Sequence, residues 1–224
     1  VFYEQGEDPR GEDLRKRISA EIEESVRALR KETLDLVQVH GPSADVIARG
    51  ELTALLRELQ KQGKIRAFGV AARGEEAPLA AVKSGAFHTI QVAVSVLDQR
   101  MRERVLPDAF AAGMGVIARS VFLKGALTPH REFLPKSLDT LRARADAVDE
   151  FVKRQRLTLT EAAIRFVLSV PEVTTFLIGT TRKEHIDAAV ASVDRGVLPS
   201  PIMAELSAFG LSDEVLVDPR HWKL

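Results

Sequence analysis

The chain contains no cysteine, a single tyrosine and a single tryptophan. Without cysteine it forms no disulfide, no Cys-ligated zinc site and no thiol nucleophile. Its 32 basic and 32 acidic side chains give a formal net charge of +0. This balance gives no reason to expect a nucleic acid or an anionic membrane surface as a partner. The sequence also lacks an apolar run of spanning length and a signal-peptide pattern, so we expect a cytoplasmic protein.

Short apolar segments alternate with amphipathic helix patterns along the chain. The predicted strands are Leu34–His40, Lys64–Ala71, Thr89–Ser95, Gly115–Val121 and Thr174–Thr180. The alternation predicts an α/β fold with a parallel sheet and right-handed crossovers. No linker divides the 224 residues, so we expect a single domain over 1–224. Five strands are compatible with a doubly wound sheet or with part of a (β/α)8 barrel, and periodicity alone does not decide between them.

The first predicted strand ends in a histidine, in the stretch Leu34–Pro42 that reads LDLVQVHGP. Its apolar, β-branched run is typical of a parallel strand that is covered on both faces. The carboxyl end of such a strand faces the ligand in α/β folds, which makes His40 a candidate site residue. The alternative is a strand-end histidine whose ring is satisfied by a neighbouring backbone group.

Two later segments are candidates for anion binding. The loop after the fourth predicted strand, Phe122–Pro135, is long and carries Lys124 near its start. The turn Gly179–Arg182 opens the last long helix, and helix amino ends bind anions readily. A capping box formed by Thr181 and Glu184 explains these two residues without any ligand. His88, His130 and His221 stand apart from other metal-ligand side chains in the sequence, so we expect no metal site.

Several segments, in their order and spacing, carry a family resemblance. They read LDLVQVHGP, QGKIRAFGVA, IQVAVSVLD, GVIARSVFLKGALT and FLIGTTRKEHI. Together they resemble the aldo-keto reductase superfamily. The resemblance implies a (β/α)8 TIM barrel and NADPH-dependent reduction of an aldehyde or ketone to an alcohol by hydride transfer. It also implies that the first three strands are absent from the chain as given, so that the barrel domain is incomplete at its amino end.

The resemblance places His40 in the family's catalytic set of Asp, Tyr, Lys and His. Only His40 has a counterpart in this sequence, and it would orient the substrate carbonyl and support the proton donor. Tyr3 lies in the lead-in that should follow the third strand, outside the catalytic tyrosine motif, so we do not expect it to be the proton donor.

The resemblance also implies a set of cofactor-binding residues. They are Gln91, Arg119, Ser120, Lys124, Thr180, Thr181, Arg182 and His185. Gln91 matches the glutamine that holds the nicotinamide carboxamide, and Arg119 replaces the aromatic residue that stacks on the nicotinamide. Lys124 would contact the pyrophosphate, and Arg182 would take the 2′-phosphate of NADPH.

Three of the cofactor assignments have a structural alternative, and the sequence departs from the family pattern at both ends of the expected dinucleotide. Gln91 also suits a polar layer inside a barrel, Arg119 a salt bridge, and Lys124 a solvated loop. Ala71-Ala72 replace a Ser-Asn pair near the carboxamide, and Ala188-Ala189 replace a Glu-Asn pair near the adenine.

These departures leave other functions open. The first hypothesis is an NADPH-dependent oxidoreductase acting on a small carbonyl substrate. The second is a degenerate barrel without redox activity that serves as a binding or interaction subunit, and a weaker third is a lyase that reuses the site without nicotinamide. Since five strands do not close an eight-stranded barrel, we also expect open apolar edges that favour aggregation or pairing with another copy.

Overall fold

A computed structural model describes Tyr3 and residues 8–222. Its strands are Leu34–His40 (β1), Ile65–Ala71 (β2), Thr89–Ala93 (β3), Gly115–Arg119 (β4) and Thr175–Phe176 (β5). Its α-helices are Gly11–Leu29 (α1), Ala44–Ala48 (α2), Glu51–Lys61 (α3), Glu76–Ser84 (α4), Val105–Ala111 (α5), Asp139–Arg154 (α6), Leu159–Leu168 (α7), Lys183–Asp194 (α8), Ser200–Ser207 (α9) and Glu214–Val217 (α10). The strands follow one another in the sheet in the order β1-β2-β3-β4-β5, and the pairs described below are parallel. The predicted α/β class is therefore confirmed.

The contacts of the chain divide it into two compact units. Unit 1 comprises residues 1–92 and 105–116, and unit 2 comprises residues 93–104 and 117–224. The boundary passes through β3 and β4, so each of these strands contributes residues to both units. The single domain over 1–224 stays a prediction.

Unit 1 is built on the parallel pairing of β1, β2 and β3. β1 and β2 pair from Leu34 opposite Ile65 to His40 opposite Ala71. Val39, Val70 and Ile90 are register partners on the three strands and are fully buried. α3 covers this layer with leucines at helical spacing, Leu52, Leu55, Leu56 and Leu59, all of which are buried. The buried layer is what holds the strand ends of unit 1 in a defined register.

Unit 2 contains the pairing of β4 with β5 and a helical core. Ile117 lies opposite Thr175, and Ala118 lies opposite Phe176. The core is built from buried residues of α6 and α7, namely Leu141, Ala145, Val148, Ala162, Ala163, Phe166 and Val167. Below this core the loop after β4 is held by Arg131, which bonds Asp146 at 2.7 Å and also Asp149.

Some elements differ from the sequence-based expectation. β5 covers only Thr175–Phe176, whereas the apolar run predicts Thr174–Thr180. The N–H of Leu177 still donates to the carbonyl of Ala118, but the chain then turns toward α8 and the ladder ends. The short helix α2 was not predicted; it begins after Ser43, whose side chain accepts a hydrogen bond from the N–H of Val46. Such an N-cap is a local signal that outweighs the low propensity of a five-residue helix.

We searched the helices of the described residues for a membrane span. None of them is both long enough and apolar enough to cross a bilayer.

Candidate active site

Three strand ends meet in one row at the carboxyl edge of unit 1. His40 of β1 is the register partner of Ala71 of β2, and Ala71 is the register partner of Gln91 of β3. The N–H of Gly41 donates to the carbonyl of Ala71 at 2.9 Å, and the N–H of Ala72 donates to the carbonyl of Gln91 at 3.0 Å. Register partners on parallel strands project to the same face. The structure therefore brings His40 and Gln91 to the same side of the sheet, separated by the small side chain of Ala71.

The ring of His40 contacts an arginine that the sequence analysis missed. Nη2 of Arg73 lies 3.4 Å from Nε2 of His40. A guanidinium has only donors, so a hydrogen bond between these two atoms would use Nε2 of His40 as the acceptor. The sequence contained one indication of Arg73: the residues just before it, Ala71-Ala72, depart from the family pattern.

The backbone after His40 is fixed by Tyr3. The N–H of Tyr3 donates to the carbonyl of His40 at 2.8 Å. Gly41 has a φ of +77°, and a Cβ at this position would lie 2.9 Å from the carbonyl oxygen of Tyr3. Both the left-handed conformation and the close approach require glycine here. The turn after β1 is thus held by the hydrogen bond from Tyr3 and by the close packing of Gly41 against the carbonyl of Tyr3.

Tyr3 itself is almost completely buried. Its hydroxyl has no hydrogen-bond partner among the described residues, and the guanidinium of Arg17 lies 5.7 Å from its ring centroid. Burial raises the pKa of Tyr3 to about 12, although the nearby charge of Arg17 opposes the shift. The group stays protonated at neutral pH, and its burial keeps it away from a solvent-borne substrate.

The carboxamide of Gln91 makes no side-chain hydrogen bond within the described part of the chain, and its residue is half-buried. An amide with unused donor and acceptor groups suits a ligand that offers the complementary pair. Ala71 and Ala72 are buried and supply no polar side chain beside it.

In unit 2, the loop after β4 has an unusual backbone. Ser120, Leu123 and Lys124 have φ values of 61°, 43° and 50°, in the left-handed region that glycine favours. Nη1 of Arg119 donates to Oγ of Ser120 at 3.1 Å. Non-glycine residues held in this conformation store strain, and such strain concentrates at functional sites.

The loop after β5 presents the other predicted residues of unit 2. Oγ1 of Thr180 accepts a hydrogen bond from the N–H of Arg182 at 3.1 Å and lies 2.9 Å from Nδ1 of His185. α8 starts at Lys183 with Arg182 as its N-cap and no side-chain cap. The predicted capping box of Thr181 with Glu184 is therefore wrong, because the N-cap is Arg182 and the helix starts one residue later than the box requires.

The two loops of unit 2 leave the sheet at the same edge. β4 and β5 run parallel, so the loops that carry Lys124 and Arg182 both follow carboxyl strand ends. Lys124, Thr181 and Arg182 are exposed to solvent. The arrangement leaves the two cations, Lys124 and Arg182, accessible to an anion from solvent.

One cluster of possible metal ligands was missed by the sequence analysis. Ligand atoms of Glu214, Asp218 and His221 lie within 4.8 Å of one another, so the expectation that His221 stands apart from carboxylates is wrong. The last short helical turns bring these residues together. Arg220 bonds Asp218 through Nε at 2.8 Å and lies 3.5 Å from Glu214. Arg220 therefore already supplies the positive charge that the two carboxylates attract.

Comparisons with known proteins agree with one another. The model of the Aldo/keto reductase family matches residues 6–210. The aldo-keto reductase YhdN of Bacillus subtilis is 32% identical over 114 residues, which cover 51% of this chain and 34% of that protein. The D-threo-aldose 1-dehydrogenase of a Pseudomonas species is 27% identical over 205 residues, which cover 85% of this chain and 60% of that protein. The chain thus spans less than two thirds of the length of either relative.

A solved structure shares the fold. The holo form of an aldo-keto reductase from Bacillus halodurans superposes with a TM-score of 0.78 and 22% sequence identity. The superposition covers 98% of this chain and 72% of that one.

Proposed function

The chain belongs to the Aldo/keto reductase family, as its sequence predicts, and on that premise we propose that it acts in the NADPH-dependent reduction of a small aldehyde or ketone to an alcohol. The observation that carries the proposal is the row of His40, Ala71 and Gln91 at the carboxyl edge of unit 1. Such an edge is where α/β barrels hold their substrates.

We assign to His40 the orientation of the substrate carbonyl. A carbonyl oxygen only accepts hydrogen bonds, so His40 would act through a ring N–H, while its Nε2 lies 3.4 Å from Nη2 of Arg73. We assign proton donation to the reduced oxygen to a separate group, because the hydroxyl of Tyr3 is buried.

The cofactor-binding residues are proposed separately for the two units, beginning with unit 1. NADPH, when bound, supplies the hydride. Gln91 would hold the carboxamide with the donor and acceptor that it leaves unused, and this residue fits the group. Ala71 and Ala72 add no hydrogen bond, so the carboxamide would depend on Gln91 more than the family pattern implies.

In unit 2, the exposed cations fit the phosphates. Lys124 would meet the pyrophosphate as a point charge, together with backbone N–H groups of its strained loop, and Ser120 with Arg119 would lie toward the nicotinamide. Arg182 would take the 2′-phosphate, because a guanidinium binds a phosphate through two parallel hydrogen bonds. Thr180, Thr181 and His185 would support the same end, with Thr180 already ordering His185.

The experiment is a comparison of NADPH and NADH with the complete product of the gene. We expect NADPH to bind tighter, and Arg182→Ala to reduce that preference by about tenfold or more because a charge-assisted bidentate contact is lost. Lys183→Gln is the matched control, since it removes a neighbouring exposed cation that pairs with Asp187 at 2.6 Å. The binding of each cofactor is measured by fluorescence titration.

Turnover is then followed with a panel of aldehydes and ketones as loss of reduced nicotinamide absorbance. The proposal fails if neither cofactor binds and none is consumed.

A second candidate is a barrel of the same family without redox activity, serving as a binding subunit. It is favoured by Ala71 and Ala72, whose buried methyl groups stand where a nicotinamide site needs hydrogen-bonding side chains. Carbonyl binding without any cofactor binding would support this second candidate, whereas NADPH consumption excludes it.

A further inference from the structure

Arg73 extends the row of His40 and Gln91 with a positive charge. It lies two residues beyond the end of β2, and its Nη2 approaches Nε2 of His40 to 3.4 Å. Its side chain is exposed, so the charge is open to solvent on the side from which a small molecule arrives. The contact with His40 occupies one of the five N–H donors of the guanidinium and leaves the others available.

The charge of Arg73 has no carboxylate partner in the described part of the chain. Some other arginines of unit 1 do have one: Arg15 pairs with Glu58, Arg17 with Glu21, and Arg66 with Asp35, all within about 3 Å. Arg66 lies near the start of β2, whereas Arg73 follows the end of that strand. Arg27, Arg30 and Arg57 also have no carboxylate partner among the described residues, so Arg73 differs from them by its place beside His40.

The chain is open at the position that follows Arg73. Gly74 has a φ of +61° and no atom within 4 Å of a Cβ position, whereas Ala71 and Ala72 before Arg73 are buried. A planar carboxylate accepts two parallel hydrogen bonds from a guanidinium, which is the strongest pairing open to an exposed arginine.

We propose that Arg73 is a specificity-determining residue that binds a carboxylate carried by the carbonyl substrate. His40 would hold the carbonyl oxygen by donating its ring N–H to it, while the remaining donors of Arg73 hold the carboxylate, so that keto acids or aldehyde acids are preferred over neutral carbonyl compounds of the same shape. The inference rests on the proposed function, because it names the substrate class for the same row of residues.

The test uses levulinate, a keto acid, and its methyl ester, which has the same ketone without the charge. Binding to the wild-type protein is followed through the histidine ring signals in NMR, with the His40 signal identified by its loss in His40→Gln. We expect levulinate to bind about tenfold tighter than the ester, and Arg73→Gln to bring the two to within about twofold, since the charged contact is lost. Arg73→Lys should keep part of the preference, because it keeps the charge without the fork.

Arg66→Gln is the matched control, because Arg66 is an exposed arginine near the start of β2, away from His40, and this variant should keep the full preference. Equal binding of levulinate and ester to the wild-type protein overturns the inference, as does a preference that survives in Arg73→Gln. If Arg73→Gln fails to fold, the comparison of wild type with Arg73→Lys still tests the inference. An unchanged preference of Arg73→Lys for levulinate over the ester would contradict the bidentate contact. The proposed function fails separately: a levulinate preference in a wild-type protein that binds no NADPH leaves this inference standing and overturns the cofactor assignment.

Discussion

Gly41 shows how a single residue sets the position of His40. It combines a φ of +77° with a close approach to the carbonyl of Tyr3, whereas Gly63 has a nearly identical φ of +75° and nothing within 4 Å of a Cβ position. We therefore expect Gly41→Ala to lower the free energy of unfolding by about 2–3 kcal/mol and Gly63→Ala by about 1 kcal/mol, since only the first adds a clash to the conformational penalty. Urea unfolding of both variants measures the difference. Equal losses of unfolding free energy in the two variants would show that Tyr3 does not restrict the turn at Gly41.

Tyr3 gives a second test at the scale of one residue, because it is the single tyrosine of the chain. Burial raises its pKa from 10.0 to about 12. The folded state therefore keeps the phenol proton between these two pH values, and the stability linked to Tyr3 is fully present below pH 10 and lost as pH rises toward 12. The tyrosinate absorbance after a pH jump should have its midpoint near 12 in the folded chain and near 10 in urea.

Tyr3→Phe is the control for this measurement. It should lose the tyrosinate signal and show a smaller decrease in stability over the same alkaline range. A native midpoint equal to that in urea would mean that the hydroxyl is open to solvent.

At the scale of elements, the loop after β4 holds non-glycine residues in a backbone conformation that costs stability. Lys124 has a φ of 50° inside a loop with two further strained residues. Lys124→Gly should raise the free energy of unfolding by about 0.5–1 kcal/mol, because glycine adopts this conformation without the steric cost. The same variant should weaken NADPH binding about fivefold or more through the loss of one cation at the phosphate.

Lys136→Gly provides the matched control from the same loop. Lys136 is exposed and begins a 3₁₀ turn, so glycine there should lower stability and leave NADPH binding unchanged. If Lys124→Gly lowers both stability and affinity, the loop is not strained in the way that its backbone indicates.

At the scale of the whole molecule, α8 carries an apolar face that the described residues leave exposed. Ile186, Val190 and Val193 lie on one side of the helix and are 50%, 55% and 39% exposed. Such a stripe is typical of a helix that packs against another surface. We therefore expect the 224-residue chain to self-associate as its concentration rises, which sedimentation velocity would show.

Val190→Lys should shift this equilibrium toward the monomer by placing a charge in the middle of the stripe. Val197→Lys is the control, because Val197 is 61% exposed but lies outside α8. A chain that stays monomeric at every concentration, or one in which both variants behave alike, would contradict the expectation.

Local sequence patterns were sufficient for most of the elements and for the class of the fold. β1 was predicted with its exact bounds, because an apolar β-branched run ends abruptly at His40 and Gly41-Pro42. The spacing of leucines in α3 and of alanines in α7 indicates which face of each helix is buried. The family could be recognised because its segments are local stretches of sequence, and the match over residues 6–210 confirms it.

The contacts within the candidate site depended on the tertiary structure. His40 and Arg73 are 33 residues apart, and only the register of β1 against β2 brings their side chains together. The length of β5 was likewise decided by where its ladder to β4 ends, which no periodicity reports. By itself the sequence determined which residues are apolar, which strand ends in a histidine and which family the chain resembles. Only the tertiary structure determined which charged side chains form ion pairs and that Arg73 lies beside His40, because both depend on distances between residues remote in sequence.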